Sequence, residues 1–249
     1  MTPQLVLGAD GVATITLARP RHLNRLHRED LHALLAHFAR LAAEPAARVL
    51  VLTGQGRAFC AGFNIDELEG ADDPRLFETV VDALEALPLP SIARLNGSVY
   101  GGATDLALAC DFRVGVAGME LRMPAARLGL HYYPSGLRRY VSRLGLPAAK
   151  RLFLLAEPAP AAELARIGYL DALVAPEALD AEVARIAGAL AANAPLAVRG
   201  MKASLDEIGR GEFELARLRA REAACAASAD LREGLAAFAE KRAPRFSGR

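Results

Sequence analysis

The stretches Ala58-Phe59-Cys60-Ala61-Gly62-Phe63-Asn64-Ile65-Asp66 and Asn96-Gly97-Ser98-Val99-Tyr100-Gly101-Gly102-Ala103-Thr104-Asp105 share one design. Each places glycine shortly after an apolar, strand-like run, where backbone must turn sharply or lie close to a ligand. The second follows the first by about forty positions, and both loops can donate backbone N–H groups into one site.

The pattern around them is α/β. Residues 12–17 alternate as a strand, which Ala18-Arg19-Pro20-Arg21 breaks. Leu31, Leu34, Leu35, Phe38 and Leu41 then recur at helical spacing, and 48–53 is an apolar run closing on Gly54. A second helix carries Leu76, Phe77, Val80, Val81, Leu84 and Leu87, stops before Pro88 and Pro90, and leads into a strand at 92–95. Residues 101–109 suit a buried helix, 112–116 and 120–123 suit strands, and 129–136 suit a Gly/Pro-containing loop. From Pro147 the signal is almost entirely helical, clearest at 183–190, 195–208, 212–227 and 231–240. An asparagine and a proline at 193–195 mark the expected boundary between an α/β core, 1–193, and a helical region, 194–249. The polar end, 244–249, is expected to fray.

Composition narrows the function. With 53% hydrophobic residues, 249 residues can bury a substantial core. A net charge of +1, from 30 Lys+Arg against 29 Asp+Glu, exerts no global pull on nucleic acid, so an anionic ligand must meet a local cluster. Cys60, Cys110 and Cys225 are an odd set without metal-ligand spacing, which argues against a disulfide framework or a metal site and fits a reducing cytoplasmic interior. No basic segment followed by an apolar one opens the chain, and no apolar run approaches bilayer length, so no membrane partner is expected.

The glycine loops, together with Arg19-Pro20-Arg21-His22-Leu23-Asn24, Val49-Leu50-Val51-Leu52-Thr53-Gly54, Ala109-Cys110-Asp111, the loop 124–139, and Glu233-Gly234, Phe238, Glu240-Lys241-Arg242 and Pro244, resemble the enoyl-CoA hydratase/isomerase (crotonase) family. The resemblance spans nearly the whole chain, in the family's order. It implies a crotonase-like spiral of ββα units with a C-terminal helical trimerisation region, trimers or hexamers of one chain, and acyl-CoA thioesters as ligands. It implies no cofactor beyond the coenzyme A of the substrate. Carried over residue by residue, the N–H groups of Phe63 and Gly102 fall at the family's two oxyanion-hole positions. Ala61, Asn64 and Ile65 fall on the loop folded around adenine and pantetheine, with Asn64 where aspartate is common. Tyr100 and Gly101 adjoin the second donor.

A thioester carbonyl gains negative charge when its α-proton leaves, when a nucleophile adds at the β-carbon, or when a β-carboxylate departs as carbon dioxide. Two preorganised N–H donors stabilise that enolate. An isolated glycine pair reads as a tight turn; in company with Gly62 and the other segments, Gly101-Gly102 reads as backbone brought close to a ligand. Family hydratases use two glutamates, which fall here at Asp105 and Ala125, one shortened and one absent, so hydration by two carboxylates is not expected. Dienoyl-CoA isomerases of the family share the aspartate of Asp105 but have further acidic residues where this chain has Ala125 and Tyr133. Asp105 is the first candidate for proton transfer, or else a cap for neighbouring backbone. His131, Tyr132 and Tyr133 form the most chemically capable remaining cluster, suited to proton donation or to lining an acyl pocket. A decarboxylase of the family has tyrosine at Tyr132, with its histidine at Phe63. Further carboxylates stand at Asp66, Glu67, Glu69 and Glu120.

For the coenzyme's phosphates, Arg19, Arg21, His22 and Arg25 form a basic cluster around Leu23, with Lys241 and Arg242 as additions from the last helix. Arg138 and Arg139 suit structural ion pairs, and Cys60 a small buried residue.

Overall fold

A repeating unit of two strands and a helix lays successive strands into two different sheets. The computed structural model describes residues 1–67 and 73–249. Strands β1 (Gln4–Leu7) and β2 (Val12–Leu17) form an antiparallel hairpin, and helix α1 (Arg28–Ala43) returns the chain to β3 (Val49–Gly54), parallel to β2. The short β4 (Ala58–Cys60) follows at once but opens a second sheet. After α2 (Leu76–Glu85) the unit recurs as β5 (Ser91–Leu95), β6 (Ser98–Tyr100) and α3 (Ala103–Ala109), then as β7 (Phe112–Val116), β8 (Glu120–Arg122) and α4 (Pro134–Leu144). The chain continues through α5 (Leu146–Lys150), β9 (Ala159–Pro160), α6 (Ala161–Arg166), β10 (Ala172–Val174) and α7 (Leu179–Ala191) to α8 (Pro195–Arg210), α9 (Leu215–Ala226) and α10 (Ala229–Glu240). The larger sheet has the order β1-β2-β3-β5-β7-β10 and is parallel beyond its hairpin; the smaller is β4-β6-β8-β9, with β9 antiparallel.

The core explains the apolar runs. Every residue of β3 is buried, as expected of a parallel strand covered on both faces. Leu31, Leu34, Phe38 and Leu41 of α1 and Leu76, Val80, Val81 and Leu84 of α2 supply the helical side of the same cluster. The corner between sheets is pinned by Asn96, whose Nδ2 donates to Gly56 O at 2.8 Å while its Oδ1 accepts from Gly54 N at 3.2 Å. Successive β-β corners are thereby stacked, and the loops leaving β4 and β6 emerge side by side.

Several boundaries differ from the sequence expectation. The strand expected at 48–53 runs Val49–Gly54, and the helix expected at 101–109 begins at Ala103, with both glycines in the turn before it. Part of the expected loop 129–136 is the start of α4. Within the almost entirely helical stretch expected after Pro147 lie β9 and β10, whose two and three residues are too short to establish a period. The end of the chain is not frayed. Buried Asp230 accepts from Ser247 N at 2.7 Å and Gly248 N at 2.9 Å, Arg249 O accepts from Ala229 N at 2.7 Å, and Arg48 Nη2 donates to Phe246 O at 3.0 Å. Helix α8 packs on α4 and α9, and α10 packs on α9. Met201, Leu205, Ile208, Leu235 and Phe238 on α8 and α10 remain exposed. Among the described residues, no helix is long and apolar enough to cross a membrane.

Candidate active site

The loop after β4 is threaded against the N-terminal segment. Ala61 N donates to Leu23 O at 2.8 Å, Leu26 N to Gly62 O at 2.8 Å and Asn64 N to Leu26 O at 2.9 Å, so Leu26 and Phe63 form a parallel bridge. In such a bridge the N–H of Phe63 points away from Leu26. Gly62 adopts φ +90°, and a Cβ there would lie 2.7 Å from Tyr100 O and 3.2 Å from Gly102 N. Only glycine therefore lets this loop press against the turn between β6 and α3. Across that contact, Gly101 N donates to Arg122 O at 2.9 Å, and Gly101 O and Gly102 O accept from Thr104 N and Asp105 N. Among the described residues, the N–H groups of Phe63 and Gly102 have no hydrogen-bond partner. Two abutting loops thus present two free donors.

Asp105 stands three residues after Gly102, on the same face of α3. It has no exposed surface. Its Oδ2 accepts from the Tyr133 hydroxyl at 2.6 Å and from Arg139 Nη1 at 2.7 Å, while Oδ1 has no partner among the described residues. Arg139, from α4 and equally buried, also donates through Nε to Glu85 Oε1 at 2.9 Å and through Nη2 to Asp82 Oδ1 at 2.7 Å. Burial pushes the Asp105 carboxyl above the usual carboxylate value, and the Arg139 charge and Tyr133 hydroxyl offset only part of that rise. Burial alone would lower Arg139, but Asp105 and Glu85 more than compensate and raise it. Arg139 therefore stays charged, and Asp105 is the member of the pair that can change protonation. At Glu85 burial is outweighed by Arg139, Arg143 and Arg138, which bring its carboxyl below the usual value.

Tyr132 and Tyr133 stack with ring centroids 4.2 Å apart, and the Tyr132 hydroxyl donates to that of Tyr133 at 3.2 Å. Burial holds both phenols well above their ordinary range, so they remain protonated. Gly136 makes this arrangement possible: a Cβ there would fall 2.4 Å from the Tyr132 ring, 2.7 Å from the Tyr133 ring and 2.8 Å from Asp105 Oδ2. Phe77 of α2 completes the wall, 6.0 Å from the Phe63 ring and 6.1 Å from that of Tyr133, with its own ring against Gly102.

The remaining candidates divide. Arg21, His22, Leu23, Arg25 and Ala61 line an open cleft of about 570 Å³ with Pro20 and Arg57. Ala61 joins that cleft to the glycine loop. Asn64 is buried, its Nδ2 donating to Glu67 Oε1 at 3.1 Å, while Ile65 is 55% exposed and Tyr100 half-buried on β6. His131 does not join the tyrosines; it is exposed, with Nδ1 2.8 Å from the carbonyl of Tyr132. Arg19 is not a free phosphate ligand, because Asp30 and Glu29 hold it. Lys241 does not line the cleft, and Arg242 is paired with Glu233 and Glu240. Among the alternative carboxylates, Glu67 is bound by His27 and Arg28, and Glu120 faces Arg122; Glu69 lies outside the described residues. Ala125 opens a 3-10 turn and supplies no carboxylate. Cys60 is buried, its thiol pushed up to about 12 by desolvation, and is inert. The direct bonding of Tyr133 and Arg139 to Asp105, and the space left by Gly136, were not visible in the sequence, since these residues lie about thirty positions from Asp105.

A sequence model of the family described as enoyl-CoA hydratase/isomerase matches residues 8–249. The chain belongs to that family. It is similar to a crotonyl-CoA hydratase of Syntrophomonas wolfei, 32% identical over 244 residues that cover 94% of each chain. A short-chain-enoyl-CoA hydratase of Clostridium acetobutylicum is 30% identical over 248 residues, covering 96% of this chain and 95% of the relative. The crystal structure of an enoyl-CoA hydratase from Bacillus anthracis superimposes over 100% of both chains with a TM-score of 0.91 at 29% identity. The crotonase fold inferred from the sequence motifs is the fold observed.

Proposed function

We propose that this protein acts on acyl-CoA thioesters, holding the thioester oxygen between the N–H groups of Phe63 and Gly102 while a carbanion forms beside it. The observation that carries this reading is the pair of N–H groups, without partners among the described residues, on two loops that touch at Gly62. Loss of one such donor typically removes about 3 kcal/mol of transition-state stabilisation. Arg21, His22, Arg25 and Arg57 would receive the coenzyme's phosphates in the cleft that Ala61 connects to this site. No cofactor other than the substrate's own coenzyme A is required.

Within the family's chemistry, proton shuttling by one group fits the site better than addition of water. Hydration needs a water molecule held by two acid-base groups, whereas Ala125 offers none and Asp105 is shielded from solvent. Decarboxylation draws on the same enolate-stabilising donors. A second reading, an acyl-CoA-binding protein without turnover, is favoured by one observation: Asp105 is already engaged by Arg139 and Tyr133.

Assembly into a homotrimer or hexamer through region 194–249 would cover the exposed apolar residues of α8 and α10, and a phosphate contact by Lys241 depends on that assembly. A cytoplasmic location accords with three free cysteines.

The test is turnover of crotonyl-CoA, followed through the conjugated thioester absorbance, with acyl-CoA affinity measured on the same sample. Binding with slow or absent hydration, and turnover of a 3-enoyl-CoA lost in Asp105→Asn at unchanged affinity, is the expected result. Rapid hydration retained in Asp105→Asn refutes the assignment of Asp105, and absence of acyl-CoA binding refutes the reading as a whole.

A further inference from the structure

The Asp105 carboxylate has no surface through which to meet a ligand directly. One oxygen is enclosed without a partner among the described residues, and the other carries Tyr133 and Arg139. Arg139 cannot carry a proton outward, because a guanidinium remains charged and its other nitrogens are held by Glu85 and Asp82. Tyr133 is different. It is half-buried, its hydroxyl lies 2.6 Å from Asp105 Oδ2, and its ring faces Phe77, which itself rests on Gly102. Tyr133 thus links the buried carboxylate to the Phe77 ring that packs on Gly102.

We infer that Tyr133 is the catalytic residue that meets the substrate carbon, relaying a proton between that carbon and Asp105. The inference rests on the enolate reading above. As the α C–H bond breaks, its electron pair moves toward the thioester oxygen, which takes the negative charge between the N–H groups of Phe63 and Gly102. The proton goes to Tyr133 Oη, and the phenol's own proton passes along the 2.6 Å hydrogen bond to Asp105 Oδ2. In the reverse direction Asp105 returns its proton to Tyr133 as Tyr133 hands one to carbon, at the same carbon or at the far end of an allylic system. Tyr133 is neutral before and after each step, Asp105 is a carboxylic acid in between, and no other reactant enters. A carboxyl raised by burial can take up that proton, and a phenol held protonated can pass it on. Gly136 is a positioning residue, since its missing side chain is what lets the phenol reach the carboxylate.

The experiment is exchange of the α-protons of butyryl-CoA for deuterium in D2O, with the dissociation constant of butyryl-CoA and thermal unfolding measured on the same preparations. Tyr133→Phe keeps the ring and its packing and loses only the hydroxyl. Exchange is expected to fall about 100-fold or more, the ordinary weight of general acid-base catalysis, with affinity unchanged. If Tyr133→Phe does not fold, washout of tritium from α-tritiated butyryl-CoA by the native protein, compared in H2O and D2O, gives the same answer. A relay has the phenolic proton in flight and therefore shows a solvent isotope effect, whereas direct abstraction by Asp105 shows none. Exchange by Tyr133→Phe close to the native rate, or washout without a solvent isotope effect, overturns the relay and leaves the enolate reading standing. Butyryl-CoA binding by the native protein without exchange above the protein-free rate also overturns the relay and leaves acyl-CoA binding. No butyryl-CoA binding defeats the functional reading on which the relay depends.

Discussion

Replacing Asp105 by alanine should reveal how much the buried charge cluster depends on it. The substitution removes a 2.7 Å ion pair between the fully buried Asp105 and Arg139 side chains and a 2.6 Å hydrogen bond from the half-buried Tyr133. Arg139 would stay charged and buried, because its proton cannot be shed. Breaking a buried pair by removing one partner costs about 3–5 kcal/mol. Here Arg139 retains Glu85 at 2.9 Å and Asp82 at 2.7 Å, which places the cost near the lower end, about 3 kcal/mol. For a chain of this size, about 2–4 °C of melting temperature is lost per kcal/mol, so a fall of roughly 6–12 °C is expected. Urea unfolding at fixed protein concentration is the better assay, since assembly would otherwise shift both curves. The midpoint should fall with the slope unchanged, as befits a lost interaction rather than a changed unfolded state. A destabilisation below about 1 kcal/mol would refute the reasoning, because it would mean that the remaining carboxylates satisfy Arg139 alone. The same arithmetic makes Asp105→Asn the better probe of catalysis, since it preserves the side chain's shape while removing the proton acceptor.

Three other perturbations follow from the geometry. Gly136→Ala inserts a methyl group 2.4 Å from the Tyr132 ring, so overpacking should cost about 1–3 kcal/mol in urea unfolding and reduce α-proton exchange; native stability with native exchange would contradict the contact. Arg21→Ala and Arg25→Ala should each weaken acyl-CoA binding by about 1.5–3 kcal/mol while leaving phosphate-free acyl-pantetheine unaffected, and equal losses for both ligands would remove the cleft from phosphate recognition. At Glu67, partial burial is outweighed by the Arg28 N–H, the Asn64 amide and His27, which bring the carboxyl from its usual 4.5 down to about 2. A lowered folded-state value stabilises the protein above pH 4.5, and the contribution is lost as pH falls toward 2. The stability difference between the native protein and Glu67→Gln should therefore shrink across that window, and a constant difference would show that these contacts do not favour the ionised carboxyl.

The local order of the chain, and the family it belongs to, were legible because their causes are local. Helical spacing at Leu31, Leu34, Phe38 and Leu41, the unbroken apolar run of β3 and the turn-forming glycines each act within a few residues, and the glycine loops at 62 and 101–102 led directly to the two loops that meet. Partnerships across the fold were not legible. Nothing local distinguishes Arg19, locked to Asp30, from Arg21, which lines the open cleft, although both belong to one basic run. His131 and Tyr133 belong to one cluster in the sequence, yet one faces solvent and the other bonds Asp105. The polar composition of the tail predicts fraying, whereas Asp230 at the start of α10 binds it. The sequence by itself determined the strand-helix alternation, the glycine turns and the types of chemical group available, because backbone sterics and hydrophobic periodicity operate over short distances. Tertiary structure decided which groups are buried, which charges are cancelled and which proton has a path outward, because those depend on desolvation and on contacts between residues thirty or more positions apart.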